Sequence, residues 1–239
     1  MARGVRVEAV PYESHPDLST PPETTVLWRY MDFARFVQMI ESQTVWFSRL
    51  DKLEDPLEGT HTDTELARIR KNVEGKRAEQ LIGLFRAARK DVYVSCWRAG
   101  KAESLAMWDL YGKGSGIVAT KSTVRLLKEA VASYDKSVFI SEVRYCDWNE
   151  APGLDNVLVA CSRKDLSYQH EGEVRAILCD IVPRPEAGIA VPADISSLVT
   201  EIMVGPREKE WVVRLVEEIK KRYDLPQPVL ASDRLKPRG

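Results

Sequence analysis

The stretch TTVLWRYMDFARFVQMIESQTVWFS, Thr24 to Ser48, decides how the chain folds. Thr24 to Tyr30 is β-branched and aromatic, the composition of a strand. Asp32 stands where a helix N-cap belongs, and Phe33, Phe36, Val37 and Ile40 follow at helical spacing. Thr44 to Ser48 reads as a second strand. The unit is strand, helix, strand.

Working downstream, SRLDKLEDPLEG (Ser48 to Gly59) is an acidic loop. Thr62 and Glu65 form a capping box for a charged helical region to about Arg89, with a break at Gly75. Its apolar face is expected from Leu66, Ile69, Val73, Leu81, Leu84 and Phe85. A strand is expected at Val92 to Trp97, a short helix at Glu103 to Tyr111, and a strand at Gly116 to Thr120. Ser122 then caps a helix to about Ser133. Val138 to Cys146 reads as one strand, Leu154 to Tyr168 as helical and Glu173 to Cys179 as a buried strand. Short strands near Ile189–Val191, Glu201–Val204 and Val229–Ala231 end the pattern, with a helix at Glu208 to Tyr223. Upstream, residues 1–23 are polar and carry Pro11, Pro16, Pro21 and Pro22, which predicts a loose leader; residues 233–239 should fray. Strands and helices intermix without regular alternation. The expectation is one α+β domain over 24–232, with central, mostly antiparallel sheets and flanking helices.

Composition excludes several classes. The chain has 239 residues, 44% hydrophobic and 30% charged, enough for a sizeable core. Lys plus Arg (35) balances Asp plus Glu (36), against a basic protein gripping duplexes through phosphates. No apolar run reaches the ~18 residues that span a bilayer, and no membrane partner is expected. Cys96, Cys146, Cys161 and Cys179 lack CxxC spacing and read as core thiols of a cytoplasmic protein.

No P-loop, dinucleotide fingerprint, nucleophile elbow or HExxH motif is present. The cluster Gly112 to Gly116 reads as a turn. His15, His61 and His170 are too scattered for a metal site, and no metal is expected. Asp51, Glu54, Asp55 and Glu58 form either a solvated loop or oxygen ligands for Mg²⁺. Trp28, Trp46, Trp97, Trp108 and Tyr111 either fill core or, with Arg29 and Ser48, wall a cleft that stacks a base or a nicotinamide ring. Strand alternation puts Glu173 and Arg175 on one face. They form a salt-bridged pair at the sheet edge or a carboxylate held to stabilise positive charge on a sugar.

The motifs WRYMxFxxF (Trp28 to Phe36), VWFSRLDKLEDPLEG (Val45 to Gly59), SCW (Ser95 to Trp97), ESLAMWDLY (Glu103 to Tyr111), GIVA (Gly116 to Ala119) and HEGEVRA (His170 to Ala176) resemble the uncharacterised bacterial "domain of unknown function 2971". That resemblance covers residues 24–232 and implies no chemistry. The opening strand–helix–strand is also similar to the start of ADP-ribosyltransferases. This second resemblance implies NAD as substrate, with Arg29 or Tyr30 contacting it from the first strand. Strand alternation should let only one of these two face the cleft. It further implies Ser48 near the nicotinamide, and Glu173 orienting the ribose and stabilising the oxocarbenium-like transition state. Glu173 and Ser48 are thus the candidate catalytic residues. Arg29, Tyr30, Arg49, Trp97, Trp108 and Tyr111 are the candidate NAD contacts. The Ser-Thr-Ser triplet of such enzymes is absent, Ser48 standing alone before Arg49.

Three functional readings fit the sequence. The first is an NAD-consuming transferase or glycohydrolase of a bacterial toxin or phage-defence system. The second is a non-catalytic module binding a nucleotide or a protein through the acidic loop, Arg49 and the charged helix. The third is a metal-dependent nuclease built on Asp51, Asp55 and Glu58 or on Glu171 and Glu173.

Overall fold

The quoted stretch folds as strand β1 (Val26–Asp32), helix α1 (Phe33–Ser42) and strand β2 (Thr44–Arg49). Asp32 caps α1 by accepting from the Arg35 amide at 2.8 Å. Phe36, Met39 and Ile40 bury its inner face. The computed structural model describes residues 12–111, 116–148, 156–182 and 185–235. After a 3-10 turn at Leu50–Lys52 come α2 (Asp63–Asn72), α3 (Lys76–Ala88), β3 (Val92–Ala99) and α4 (Leu105–Tyr111). Then follow β4 (Ile117–Thr123), α5 (Val124–Val131), β5 (Val138–Glu142), β6 (Arg144–Cys146), α6 (Val157–Cys161) and β7 (Arg163–Asp165). A 3-10 segment, Leu166–Glu171, leads into β8 (Glu173–Cys179), β9 (Gly188–Pro192), α7 (Ile195–Leu198), β10 (Glu201–Val204), α8 (Glu210–Arg222) and β11 (Val229–Ala231).

The central sheet runs β11-β10-β4-β1-β3-β2-β9, with β8 on β3 and β5 on β8. Its pairs are antiparallel except β10–β11; β6 and β7 form a separate parallel pair. The expected mixed α+β architecture is what forms. The main core lies between this sheet and its helices and includes Leu27, Phe36, Ile40, Tyr93, Trp97, Leu127, Val204 and Val216.

The sheet is incomplete along one edge of β3. β8 covers one edge of β3 from Val92 to Arg98. On the other edge, β1 pairs only with Arg98 and Ala99, and β2 only with Tyr93 and Val94. The sheet forks there, and Ser95, Cys96 and Trp97 face the fork with neither strand beside them.

Several boundaries differ from the sequence reading, each for a local reason. Thr123, not Ser122, caps α5; the Ser122 hydroxyl donates instead to the Leu198 carbonyl at 2.6 Å. Val138 to Cys146 breaks into two strands at Val143, whose amide donates to Glu173 O. Of the described part of the expected helix from Leu154 to Tyr168, α6 is α-helical and Leu166 to Tyr168 open the 3-10 segment, but between them Arg163 and Lys164 turn inward on β7. The charged helical region does break at Gly75 (φ 50°), but Leu84 is 67% exposed while Ala78 and Ile82 are buried. Residues 12–23 of the expected leader lie along β5: Thr20 Oγ1 donates to Ile140 O at 2.8 Å and the Glu142 amide to Ser19 O at 2.7 Å. These bonds satisfy backbone groups of β5 on the edge away from β8. The expected turn over Gly112 to Ser115 and the tail from residue 236 lie outside the described residues.

Candidate nucleotide cleft at the fork of the sheet

Where β1 and β2 diverge, a cavity of about 410 Å³ opens, lined by Arg29, Tyr30, Trp46, Ser48, Cys96 and Tyr111, with Arg35 and Met39 of α1 closing one side. Its size suits a small-molecule site.

Arg29 spans the fork. Its Nη1 donates to Ser95 Oγ at 2.8 Å and its Nη2 to the Trp46 carbonyl at 2.9 Å, and the guanidinium lies 5.5 Å from the Trp97 ring centre. These bonds tie β1 to β2 and β3 where no backbone ladder does. Two of its five N–H donors are used. Among the described residues no carboxylate lies within ion-pair distance. Arg29 is half-buried and its desolvation lowers its proton affinity, so the cavity wall carries a partly desolvated cation with no anion among the described residues.

Glu173 stands behind the cavity floor. Gly172 (φ 51°) ends the 3-10 segment in the left-handed region and hands the chain into β8. Glu173 accepts from Arg175 Nε at 2.8 Å and Nη2 at 3.0 Å, and Lys164 Nζ is 3.6 Å away. Its backbone amide donates to the Tyr145 hydroxyl at 2.8 Å. Burial alone would push this carboxyl up; the charge and hydrogen bonds of Arg175, with Lys164, overcome it and hold it at about 2. The Cys96 thiol lies between Glu173 and the cavity, in hydrogen-bond contact with the carboxylate. Burial, then the Glu173 charge, push that thiol well above its ordinary value, so it is neutral at pH 7. Tyr111 is pushed up to about 12, chiefly by burial, and lies within electrostatic reach of Cys96, Glu173 and Arg29.

The same cluster absorbs the acidic loop. Glu58 is 3% exposed, its carboxylate 2.5 Å from Arg175 Nη2 and 3.3 Å from Lys164 Nζ. The contact with Arg175 is charge to charge, since Glu58 Oε2 makes no aligned hydrogen bond. Lys164 also donates to Glu171 at 2.6 Å; burial raises the Glu171 carboxyl despite that bond. The loop is therefore not the solvated turn that its composition suggests. It is anchored by Glu58 to β7 and β8, and Asp55 is buried with it. Among the described residues no group of three or more His, Cys, Asp or Glu converges as a metal site.

The fork unites some of the candidate residues and separates others. Arg29, Tyr30, Ser48 and Tyr111 line the cavity together. Alternation in a flat sheet should have excluded Arg29 or Tyr30, but both reach it because β1 leaves β3 at this point. Tyr30 accepts from the Ser104 amide at 2.8 Å and stacks on Tyr111 at 6.4 Å. Ser48 Oγ accepts from Trp46 Nε1 at 3.2 Å. Arg49, Trp97 and Trp108 do not line the cavity. Arg49 turns to Asp51, at 2.6 and 3.3 Å. Trp97 is core beneath Arg29. Trp108 donates to Glu103 at 2.7 Å and packs edge-on against Tyr30. Trp46, a candidate cleft wall though not a candidate NAD contact, does line the cavity, and Cys96 lines it without having been a candidate. Trp46 was legible, since alternation back from Ser48 puts Thr44, Trp46 and Ser48 on one face. Cys96 carried no signal, a lone thiol in an apolar strand being ordinary core.

No protein-family model matches the chain, and no curated protein matches it. Among solved structures it is similar to the DarT of Thermus sp. 2.9 in complex with carba-NAD+, at 10% identity and a TM-score of 0.43, over 88% of this chain and 96% of that one. It is also similar to the same protein in complex with ADP-ribosylated ssDNA, at 10% identity and a TM-score of 0.42, over 90% and 96%. The motifs resembling the uncharacterised family therefore stand without a matching family model. Among the described residues no helix is long and apolar enough to cross a membrane.

Proposed function

We propose that the fork is an NAD-binding cleft and the protein an NAD-consuming enzyme, an ADP-ribosyltransferase or NAD glycohydrolase. One observation carries the reading: the cavity pairs a desolvated arginine lacking an anion, Arg29, with an ionised carboxylate, Glu173, behind Cys96 at its floor. A desolvated guanidinium with free donors suits a pyrophosphate, which it can bind through charge-assisted hydrogen bonds. Glu173 suits the other end of the ligand. In the reaction the bond from the ribose C1′ to the nicotinamide nitrogen breaks, the electron pair leaves with the now neutral nicotinamide, and positive charge develops on the ribose. A carboxylate kept ionised at every physiological pH stabilises that charge. Attack at C1′ by water or by another acceptor completes hydrolysis or transfer, with the acceptor's proton passing to solvent.

A second reading, a nucleotide-binding module without turnover, is favoured by one fact. Both Glu173 oxygens are engaged by Arg175, and Glu173 does not itself line the cavity. Nicotinamide release separates the two. Wild-type protein should release nicotinamide from NAD, and folded Glu173→Gln should do so ~10²–10³-fold more slowly. Binding with no release supports the module; a thermal shift with neither NAD nor ADP-ribose refutes both, since a ligand at a hundred times its Kd adds ~2.7 kcal/mol.

A further inference from the structure

We infer that Trp46 is a rigid platform on which the heteroaromatic base of a nucleotide stacks, and that Ser48 is the positioning residue that locks it. The inference rests on the nucleotide reading of the cleft, but not on turnover. Trp46 lines the cavity and is 41% exposed, while Trp28, Trp97 and Trp108 are each at most 3% exposed. An exposed indole at a cavity wall is the kind of surface that bases stack on.

Its orientation is held from two sides. Nε1 donates to Ser48 Oγ at 3.2 Å, two residues along the same strand face. Behind the ring, β9 passes so closely that a Cβ on Gly188 would lie 2.4 Å from Trp46 Cζ2 and 2.4 Å from the Phe47 carbonyl. Only glycine permits that approach. The indole is thus backed by backbone and pinned at its polar edge, with little rotamer freedom left to lose on binding.

The platform and the cation are one assembly, since the Trp46 carbonyl itself accepts from Arg29 Nη2 at 2.9 Å. A planar ring on the indole and an anion on the guanidinium would then occupy the same cavity, which both side chains line. A ligand that carries a planar base and a phosphate on one sugar offers a partner to each, which defines the ligand chemistry. It also changes the role of Ser48, whose hydroxyl acts through Trp46 and not on the reacting atoms.

The test is calorimetric titration of the full chain, as wild type, W46F, W46L, S48A and S48T, with AMP, nicotinamide mononucleotide and ribose 5-phosphate, and nicotinamide release from NAD measured on the same samples. W46L should weaken AMP, nicotinamide mononucleotide or both by about 10-fold or more, while W46F, which keeps a π face, retains most of the affinity. Which mononucleotide responds tells whether adenine or nicotinamide occupies the platform. Ribose 5-phosphate, lacking a base, should bind all five proteins alike. S48A should lose a few-fold and S48T recover it. Unchanged binding of both mononucleotides by W46L overturns the inference, as does a parallel loss of ribose 5-phosphate, which would mean a collapsed site. Wild type that binds neither mononucleotide overturns it too. Nicotinamide release by W46L at an unchanged KM removes the platform while leaving the proposed activity. Trp46-dependent binding without any release keeps the platform and removes the activity.

Discussion

Arg29 and Arg175 both sit on strands next to β3, yet they live in opposite electrostatic surroundings. Arg175 is fully buried, holds Glu173 through two hydrogen bonds, lies against Glu58, and donates to the Cys161 carbonyl at 2.7 Å. Its charge is answered inside the protein. Among the described residues Arg29 has a hydroxyl, a carbonyl and the Trp97 ring for partners, no carboxylate among them, and faces a cavity. A desolvated charge left without a counter-ion is costly unless something else supplies one. The difference teaches where to look for a ligand: the internally answered arginine builds structure, and the unanswered one marks the site.

Substitution tests that contrast directly, and the largest effect should come at Arg175. Arg175→Met strands the buried carboxylates of Glu58 and Glu173, and should cost ~3–5 kcal/mol in urea unfolding. A loss below about 1 kcal/mol would break the comparison on its structural side. Next comes Arg29→Met. Removing a charged donor to a bound phosphate, worth ~1.5–3 kcal/mol, should weaken ADP-ribose by ~10- to 100-fold. The unfolding midpoint should move little, because no buried anion is stranded. If stability collapses while affinity survives, the two arginines have been read the wrong way round.

Acid titration sharpens the same contrast. The folded carboxyl of Glu173, at about 2, lies below its ordinary value. The unfolded chain therefore binds the extra proton between these values. Its contribution, of the order of a few kcal/mol, is present above about pH 4.5 and is lost as the pH falls towards 2. The denaturant midpoint should drop across that window, and Glu173→Gln should flatten the drop. Glu171, whose carboxyl is raised, acts in the opposite sense, its contribution fading as the pH rises through its folded value. The smallest effect is expected at Thr62→Ala. This removes the acceptor for the Glu65 amide at 3.2 Å but leaves Glu65 on Arg163 at 2.8 and 3.0 Å. The cost should be ~0.5–2 kcal/mol of stability without change in ligand affinity, since the cap lies away from the cavity and the Arg163–Glu65 pair remains.

Much of the scaffold was legible because it is written locally. The Asp32 cap, the Thr62–Glu65 box and the break at Gly75 are decided within a turn or two of chain. Alternation likewise put Glu173 and Arg175 on one face, and they meet there. Reading failed where distant groups compete for a residue. Ser122 looks like a cap until Leu198 offers its carbonyl. Glu58 looks like a solvated loop carboxylate until Lys164 and Arg175 arrive from β7 and β8. Arg49 looks equal to Arg29, but Asp51, two residues on, already holds it.

By itself the sequence determined the kinds of element, their order and which faces are apolar, because propensity, capping and periodicity act over a few residues. Only the tertiary structure decided that β3 would receive both β1 and β2 on one edge. That fork depends on where strands far apart in the chain stop pairing, a question of register that no local pattern contains. The cavity, the unanswered charge of Arg29 and the exposed face of Trp46 all follow from it.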